Sequence, residues 1–216
     1  MKTGVCWWHS RFQRNVSYLV QMEPTLPKPT DAQAKAIIKK IISGKEIVII
    51  PGFENFRMFS IKYYKQIVNS LTKWINTDFL IRQDWTRAYK GASTLSVGDF
   101  QEHMKGIHEQ FLANDGILFM ILQFNTNIAH SWLMTNMEKV KTGWNLSVVD
   151  SQSPLYVYDI YIDDSASSII PNPKFPKNKE YFNAISHFNQ YVAVPYVYQM
   201  SELKRNKEVV SKYCNQ

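Results

Sequence analysis

Three residues far apart in the chain, Cys6, His130 and Asp150, have the side chains of a nucleophile, a base and a group that orients the base. Cys6 falls at the first turn of an expected helix, where unpaired backbone N–H groups and the positive end of the helix dipole favour a thiolate. An imidazole that takes a thiol proton must be held in one tautomer, and a carboxylate on its far nitrogen does this. The resulting thiolate–imidazolium pair attacks a carbonyl carbon at neutral pH. Taken singly, each residue has an ordinary role. A lone cysteine packs as a small apolar residue. A strand histidine is satisfied by backbone groups. An aspartate before Ser-Gln-Ser-Pro caps a turn. Taken together, they favour thiol catalysis.

The elements that must position them can be read from periodicity. Gly4–Val20 reads as a helix whose buried face carries Trp8, Phe12, Val16, Leu19 and Val20, with Arg11 and Arg14 on the remainder. Ile128–Thr135 reads as a strand on which Ile128, His130, Trp132 and Met134 share one face. Lys141-Thr142-Gly143 is a turn, and Trp144–Asp150 is the next strand. If these strands pair across that turn, His130 and Asp150 become neighbours.

The rest of the chain builds the frame. Glu23–Thr30, with Pro24, Pro27 and Pro29, is an extended connector. Thr30 or Asp31 caps a helix over Asp31–Ser43, on which Ala36, Ile37, Lys40 and Ile41 show helical periodicity, and Gly44 ends it. Glu46–Ile50 is a short strand stopped by Pro51-Gly52. Phe56–Ile75 reads as one long helix with Phe59, Tyr63, Ile67, Leu71 and Trp74 on a stripe, and Thr77–Lys90 is ambiguous. Ser96 caps a helix over Val97–Ala113, ended by Asn114-Asp115-Gly116. Gly116–Phe124 is a buried strand, and Asn125-Thr126-Asn127 a turn. Leu155–Ile162 and Tyr191–Tyr198 are further strands. Ser165–Glu180 is a surface loop, and Ser201–Tyr213 a polar closing helix. Helices then an antiparallel meander make an α+β fold in two lobes, about 1–115 and 116–216, within a single domain spanning 1–216.

Gly-Val-Cys-Trp-Trp resembles the nucleophile segment of papain-like cysteine peptidases, in which Cys-Trp opens the central helix. Ala-His-Ser-Trp, followed by Gly-Trp-Asn-Leu-Ser-Val-Val-Asp-Ser-Gln-Ser-Pro, resembles the histidine strand, turn and Asp/Asn strand of that superfamily. The resemblance is nearest to bacterial branches with Asp as third member, such as double-glycine leader peptidases and secreted effector peptidases. It implies Cys6 as nucleophile, His130 as base, Asp150 as orienter, and a protein or peptide substrate. It is carried by two short segments and by the helices-then-sheet order, and does not extend to Pro24–Asn114. The family has a Gln about six residues before the cysteine that donates to the oxyanion. Here that position would precede Met1, leaving Asn125, Asn127 and Gln83 as alternative side-chain donors beside the Cys6 backbone N–H.

Two other uses of the same residues stay open. One is acyl transfer to an amine, as in transglutaminase-like enzymes, with the same first half-reaction. The other is an inactive papain-fold binding domain, which the absent Gln favours. His9 lies three residues after Cys6, whereas a base normally approaches from the opposite wall. His103 and His108 are five apart and on different helix faces, unsuited to a shared metal. Asp163-Asp164 lacks the Gly-punctuated spacing of a calcium loop, and His187 has no evident partner. No cofactor or metal is expected.

Composition bounds the remaining classes. The chain has 216 residues, and Lys+Arg exceeds Asp+Glu by 25 − 18 = 7. The positive charge is spread along the sequence rather than gathered into a nucleic-acid footprint. Ile117–Leu122 is the longest unbroken apolar run, far short of a membrane span. Cys6 and Cys214 form no metal pattern, and Cys214 sits in a polar tail ill-suited to a disulfide. The first residues have no apolar signal region, so the expectation is a cytoplasmic protein, or an exported one whose leader has been removed. A monomer is expected.

Overall fold

A computed structural model of the chain describes residues 6–78, 94–114, 116–124, 129–151, 156–169, 193–198 and 200–215. The fold is α+β, with helices and a five-stranded antiparallel sheet. Two compact units divide it. The first is Met1–Gln83 with Gln199–Gln216, and the second is Asp84–Tyr198. The division expected near Asp115 is therefore displaced: the helix before Asp115 groups with the sheet, and the last helix groups with the first residues.

The first unit holds α1 (Cys6–Leu19), β1 (Val20–Glu23), α2 (Asp31–Ser43), β2 (Val48–Pro51), α3 (Phe56–Lys62), α4 (Tyr64–Thr77) and α6 (Met200–Cys214). Thr30 closes a capping box on α2. Its hydroxyl accepts from Gln33 N, and the Gln33 side chain accepts from Thr30 N, satisfying two groups the helix start leaves open. Gly44 ends α2 at φ 61°, a left-handed conformation that favours glycine. The buried face of α2 is Ala34, Ile38 and Ile41, and Ala36 is exposed, so the inward stripe is rotated from the expected one. These residues pack with Phe12, Val48, Ile50, Phe53, Phe59, Tyr63, Ile67 and Leu71 into one core.

Two local features depart from expectation. The long helix breaks into α3 and α4 at Tyr63 (φ −109°, ψ 28°), whose hydroxyl donates to Pro29 O. The break spans one residue, so the stripe of Phe59, Tyr63, Ile67 and Leu71 survives it and remains buried. Val20 leaves the helix face and opens β1, which pairs in parallel with β2 from Val20↔Val48 to Glu23↔Pro51.

The second unit holds α5 (Val97–Asn114), β3 (Leu118–Gln123), β4 (Ala129–Val140), β5 (Gly143–Asp150), β6 (Val157–Asp163) and β7 (Val194–Val197). The sheet order is β6-β5-β4-β3-β7, all antiparallel. β3 is buried at every position, as its unbroken apolar run demands. Gly143 is required where β5 begins, because a Cβ there would lie 2.1 Å from Ile162 O. The Ser96 hydroxyl accepts from Asp99 N at 3.1 Å and caps α5. α5 reaches the sheet through Gln101, whose Oε1 accepts from Trp144 Nε1 at 3.1 Å. His103 Nε2 donates to Pro195 O at 2.6 Å. The turn expected at Asn125-Thr126-Asn127 and most of the loop expected over Ser165–Glu180 lie outside the described residues, as does most of Thr77–Lys90. Among the described residues no helix is long and apolar enough to cross a membrane.

Candidate active site

His130 and Asp150 meet on one face of the β4–β5 ladder. Trp132 lies directly opposite Asp150 in the β4–β5 ladder. His130 is two residues before Trp132 on the same face, which makes it the diagonal neighbour of Asp150. His130 Nε2 and Asp150 Oδ2 are 2.6 Å apart, with side chains 1% and 0% exposed. A carboxylate can only accept, so Nε2 carries the proton and donates. With Nε2 held by Asp150, the acid–base chemistry of the ring resides at Nδ1. Ser151 Oγ donates to Ser131 O at 3.3 Å and ties the end of β5 to β4 beside the pair.

A β-bulge lies further along the same two strands. Between Met134 and Asn136 the register slips by one, and Thr135 Oγ1 donates to Ser147 O at 3.1 Å. Counted from Val140↔Gly143 at the turn, an unbroken register would set Leu133 opposite Asp150, so the bulge at Thr135 is what puts Trp132 there and His130 on the face of Asp150.

Cys6 is the first residue of α1 and is half-buried. It belongs to the first unit, whereas His130 and Asp150 belong to the second. Neither Cys6 nor Cys214 is in a disulfide, and Cys214 is exposed at the end of α6.

The environment of α1 differs from the sequence expectation. Arg11 and Arg14 are buried, not solvated. Both guanidinium groups pair with Glu202 of α6, and Arg11 Nη1 also reaches Asp78 Oδ2 at 3.0 Å. The same Asp78 oxygen accepts from Trp8 Nε1 at 2.9 Å. Arg11 further lies over the Trp74 ring, 4.4 Å from its centroid. Asn15 Nδ2 donates to Ile41 O at 2.8 Å, and Asn206 Nδ2 donates to Asn15 Oδ1 at 3.0 Å. The helix carrying the thiol is therefore held by buried polar groups on α2, α4 and α6, with Phe12 and Leu19 as its apolar anchors. No sequence pattern marks this, because Glu202 is separated from Arg11 and Arg14 by nearly the whole chain.

Burial and the pairing set the charges. Burial pushes the Arg14 guanidinium down, Glu202 opposes it, and the balance is about 10, so the group stays charged at neutral pH. Burial works to raise the Glu202 carboxyl. Arg11, Arg14 and Arg205 outweigh it and hold the group below the usual carboxylate value.

The lesser candidates fall elsewhere. His103 is engaged with Pro195 O and the Tyr196 ring, and the His108 ring lies against Trp144. Asp164 pairs with Lys139 at 2.5 Å, and Asp163 Oδ1 accepts from Ser165 N at 2.8 Å. His9 is half-buried on α1, three residues beyond Cys6. His187 and the possible oxyanion donors Gln83, Asn125 and Asn127 lie outside the described residues.

No family model, curated protein or solved structure matches the chain. What the site can do follows from its side chains. A buried imidazole with its Nε2–H fixed on a carboxylate is a base of set tautomer and orientation. Helix starts favour the thiolate form of a cysteine, and Cys6 is the first residue of α1.

Proposed function

We propose that the chain is a thiol hydrolase of papain-like, two-lobed fold that cleaves a peptide or isopeptide bond with Cys6, His130 and Asp150. The observation that carries this reading is the buried 2.6 Å pairing of His130 Nε2 with Asp150. Cys6 at the start of α1 supports it. In this reading the Cys6 proton passes to His130 Nδ1, and Sγ bonds to the substrate carbonyl carbon. The tetrahedral oxyanion collapses, the C–N bond breaks, and His130 returns the proton to the departing amine. Water, deprotonated by the same imidazole, then releases the acid and restores the thiol. Asp150 keeps Nε2–H in place and stabilises the imidazolium.

The test is alkylation by iodoacetamide, followed across about pH 5 to pH 9 with the modified residue mapped by mass spectrometry. Cys6 reacts well below the pH of an ordinary thiol near ~8.5, and His130→Ala removes that low-pH reactivity. Equal rates for the wild type and His130→Ala across the range rule out the thiolate–imidazolium pair.

A second reading is favoured by the near-complete burial of both His130 and Asp150. There the pair is a clasp joining β4 to β5, in a binding domain without turnover. Under that reading His130→Ala lowers the unfolding free energy and leaves the alkylation profile of Cys6 unchanged.

A further inference from the structure

The outward face of β2 carries aliphatic side chains that the core does not use. Val48 and Ile50 point into the first unit, and Ile49 on the opposite face is 47% exposed. Alternation puts Ile47 on the same outward side. The last turns of α6 stand beside this face. Val209, Lys212 and Tyr213 recur at the spacing of one helix face. They enclose, with Lys45, Glu46, Ile47 and Ile49, a groove of about 350 Å³. The Tyr213 hydroxyl donates to Gln21 Oε1 at 3.0 Å on β1, which steadies the ring as a wall.

The charges at the groove have a definite sign. Glu46 is paired with Lys40 at 3.0 Å, so its charge is met. Lys45 and Lys212 are in no ion pair or hydrogen bond among the described residues. Two unmatched ammonium groups therefore flank an aliphatic and aromatic floor. A second copy of the chain is a poor occupant. An isologous contact would gather Lys45 and Lys212 of both copies into one interface, in a protein already carrying a net charge of +7. The volume is near the lower limit for small-ligand pockets, room for a few side chains rather than a large ligand.

We propose that this groove binds a short acidic peptide segment, with aliphatic side chains seated on Ile47, Ile49, Val209 and Tyr213 and its carboxylates beside Lys45 and Lys212. The site is independent of the thiol chemistry and stands or falls apart from it.

Fluorescence anisotropy with a fluorescein-labelled octapeptide alternating aspartate and leucine tests the proposal, with a lysine–leucine octapeptide as control. The acidic peptide binds the full chain with a Kd on the order of 100 µM, and more weakly as salt rises. Ile49→Asp weakens it at least about tenfold, as does Lys45→Glu with Lys212→Glu, and that double variant gains affinity for the basic peptide. Ile49 and both lysines are solvent-facing, so circular dichroism of these variants matches the wild type. Ile49→Ser, the milder change, gives a smaller loss in the same direction. No binding at millimolar peptide, equal binding of the two peptides, or indifference to all these variants overturns the proposal. A dimer in sedimentation that Ile49→Asp disperses also overturns it, in favour of a second copy.

Discussion

Removing the Asp150 carboxylate leaves the His130 Nε2–H buried without its acceptor. Asp150→Ala should therefore lower the unfolding free energy by about 1–3 kcal/mol in urea titrations, the usual penalty for an unsatisfied buried donor. Asp150→Asn keeps an acceptor of the same shape and should lose less. On the catalytic reading, Asp150→Ala also abolishes the low-pH alkylation of Cys6, while Asp150→Asn retains part of it. A stability loss with an unchanged alkylation profile would leave only the clasp. The pairing of the two strands across the Lys141-Thr142-Gly143 turn was legible in the sequence, but the register was not: a period of two counted from Val140↔Gly143 sets Leu133 opposite Asp150, and the bulge at Thr135, which no pattern announces, puts His130 on that face instead. Arg11 and Arg14 were not legible, because a guanidinium on a helix reads as solvated unless its carboxylate is known. That carboxylate, Glu202, comes from the far end of the chain.

At the scale of elements, caps and apolar stripes could be read and short breaks could not. The limits of α2 follow from Thr30, Gln33 and Gly44, which act within a few residues of the helix ends. The four-residue β1 was missed, its first residue Val20 read as helix end and its last, Glu23, as connector, since its partner β2 lies beyond an intervening helix. The face of α2 was misplaced because nearly all its aliphatic residues fit some helical stripe, and only packing against α4 and β2 selects Ala34, Ile38 and Ile41. Gly44→Ala should destabilise by about 1 kcal/mol or more in thermal or urea unfolding. The new Cβ is strained at positive φ and meets Arg205 Nη2 at 3.0 Å and Asn15 Nδ2 at 3.1 Å. The α1–α6 contact makes a pH-dependent prediction. The native Glu202 carboxyl lies below its unfolded value of ~4.3, so the unfolded chain takes up this proton first. Its stabilising contribution is whole above that value and is lost as pH falls through it toward the native value. Glu202→Gln keeps the shape without the titration. The difference in unfolding free energy between wild type and this variant should shrink from about pH 5 to about pH 3. A difference that stays constant over that range would show that the Glu202 charge does not support the fold.

At the scale of the whole molecule, the first unit is discontinuous in sequence: it takes residues from both ends of the chain, and the sheet unit takes the residues that come between in sequence. Helix-then-sheet order alone suggested a sequential division, because nothing in the polar pattern of Ser201–Tyr213 announces that Leu203 and Asn206 are buried. α6 is therefore expected to be part of the folding unit that carries Cys6, not an appended tail. Ending the chain after Tyr198 removes Glu202 and leaves Arg14, fully buried in the intact protein, without its carboxylate. Stranding one partner of a buried pair costs about 3–5 kcal/mol. That is a large share of the roughly 5–15 kcal/mol that holds a domain together, before the packing of Leu203 is counted. The shortened chain should then be cut by protease within 6–78 under conditions where the intact chain resists, with the fragments assigned by mass spectrometry. Glu202→Ala in the full-length chain separates the two contributions. It should lose the ion-pair part, about 3–5 kcal/mol, while keeping the packing of Leu203 and the Asn206–Asn15 bond. If the shortened chain resists proteolysis over 6–78 as well as the intact one, α6 is dispensable and the polar groups of α1 find other partners.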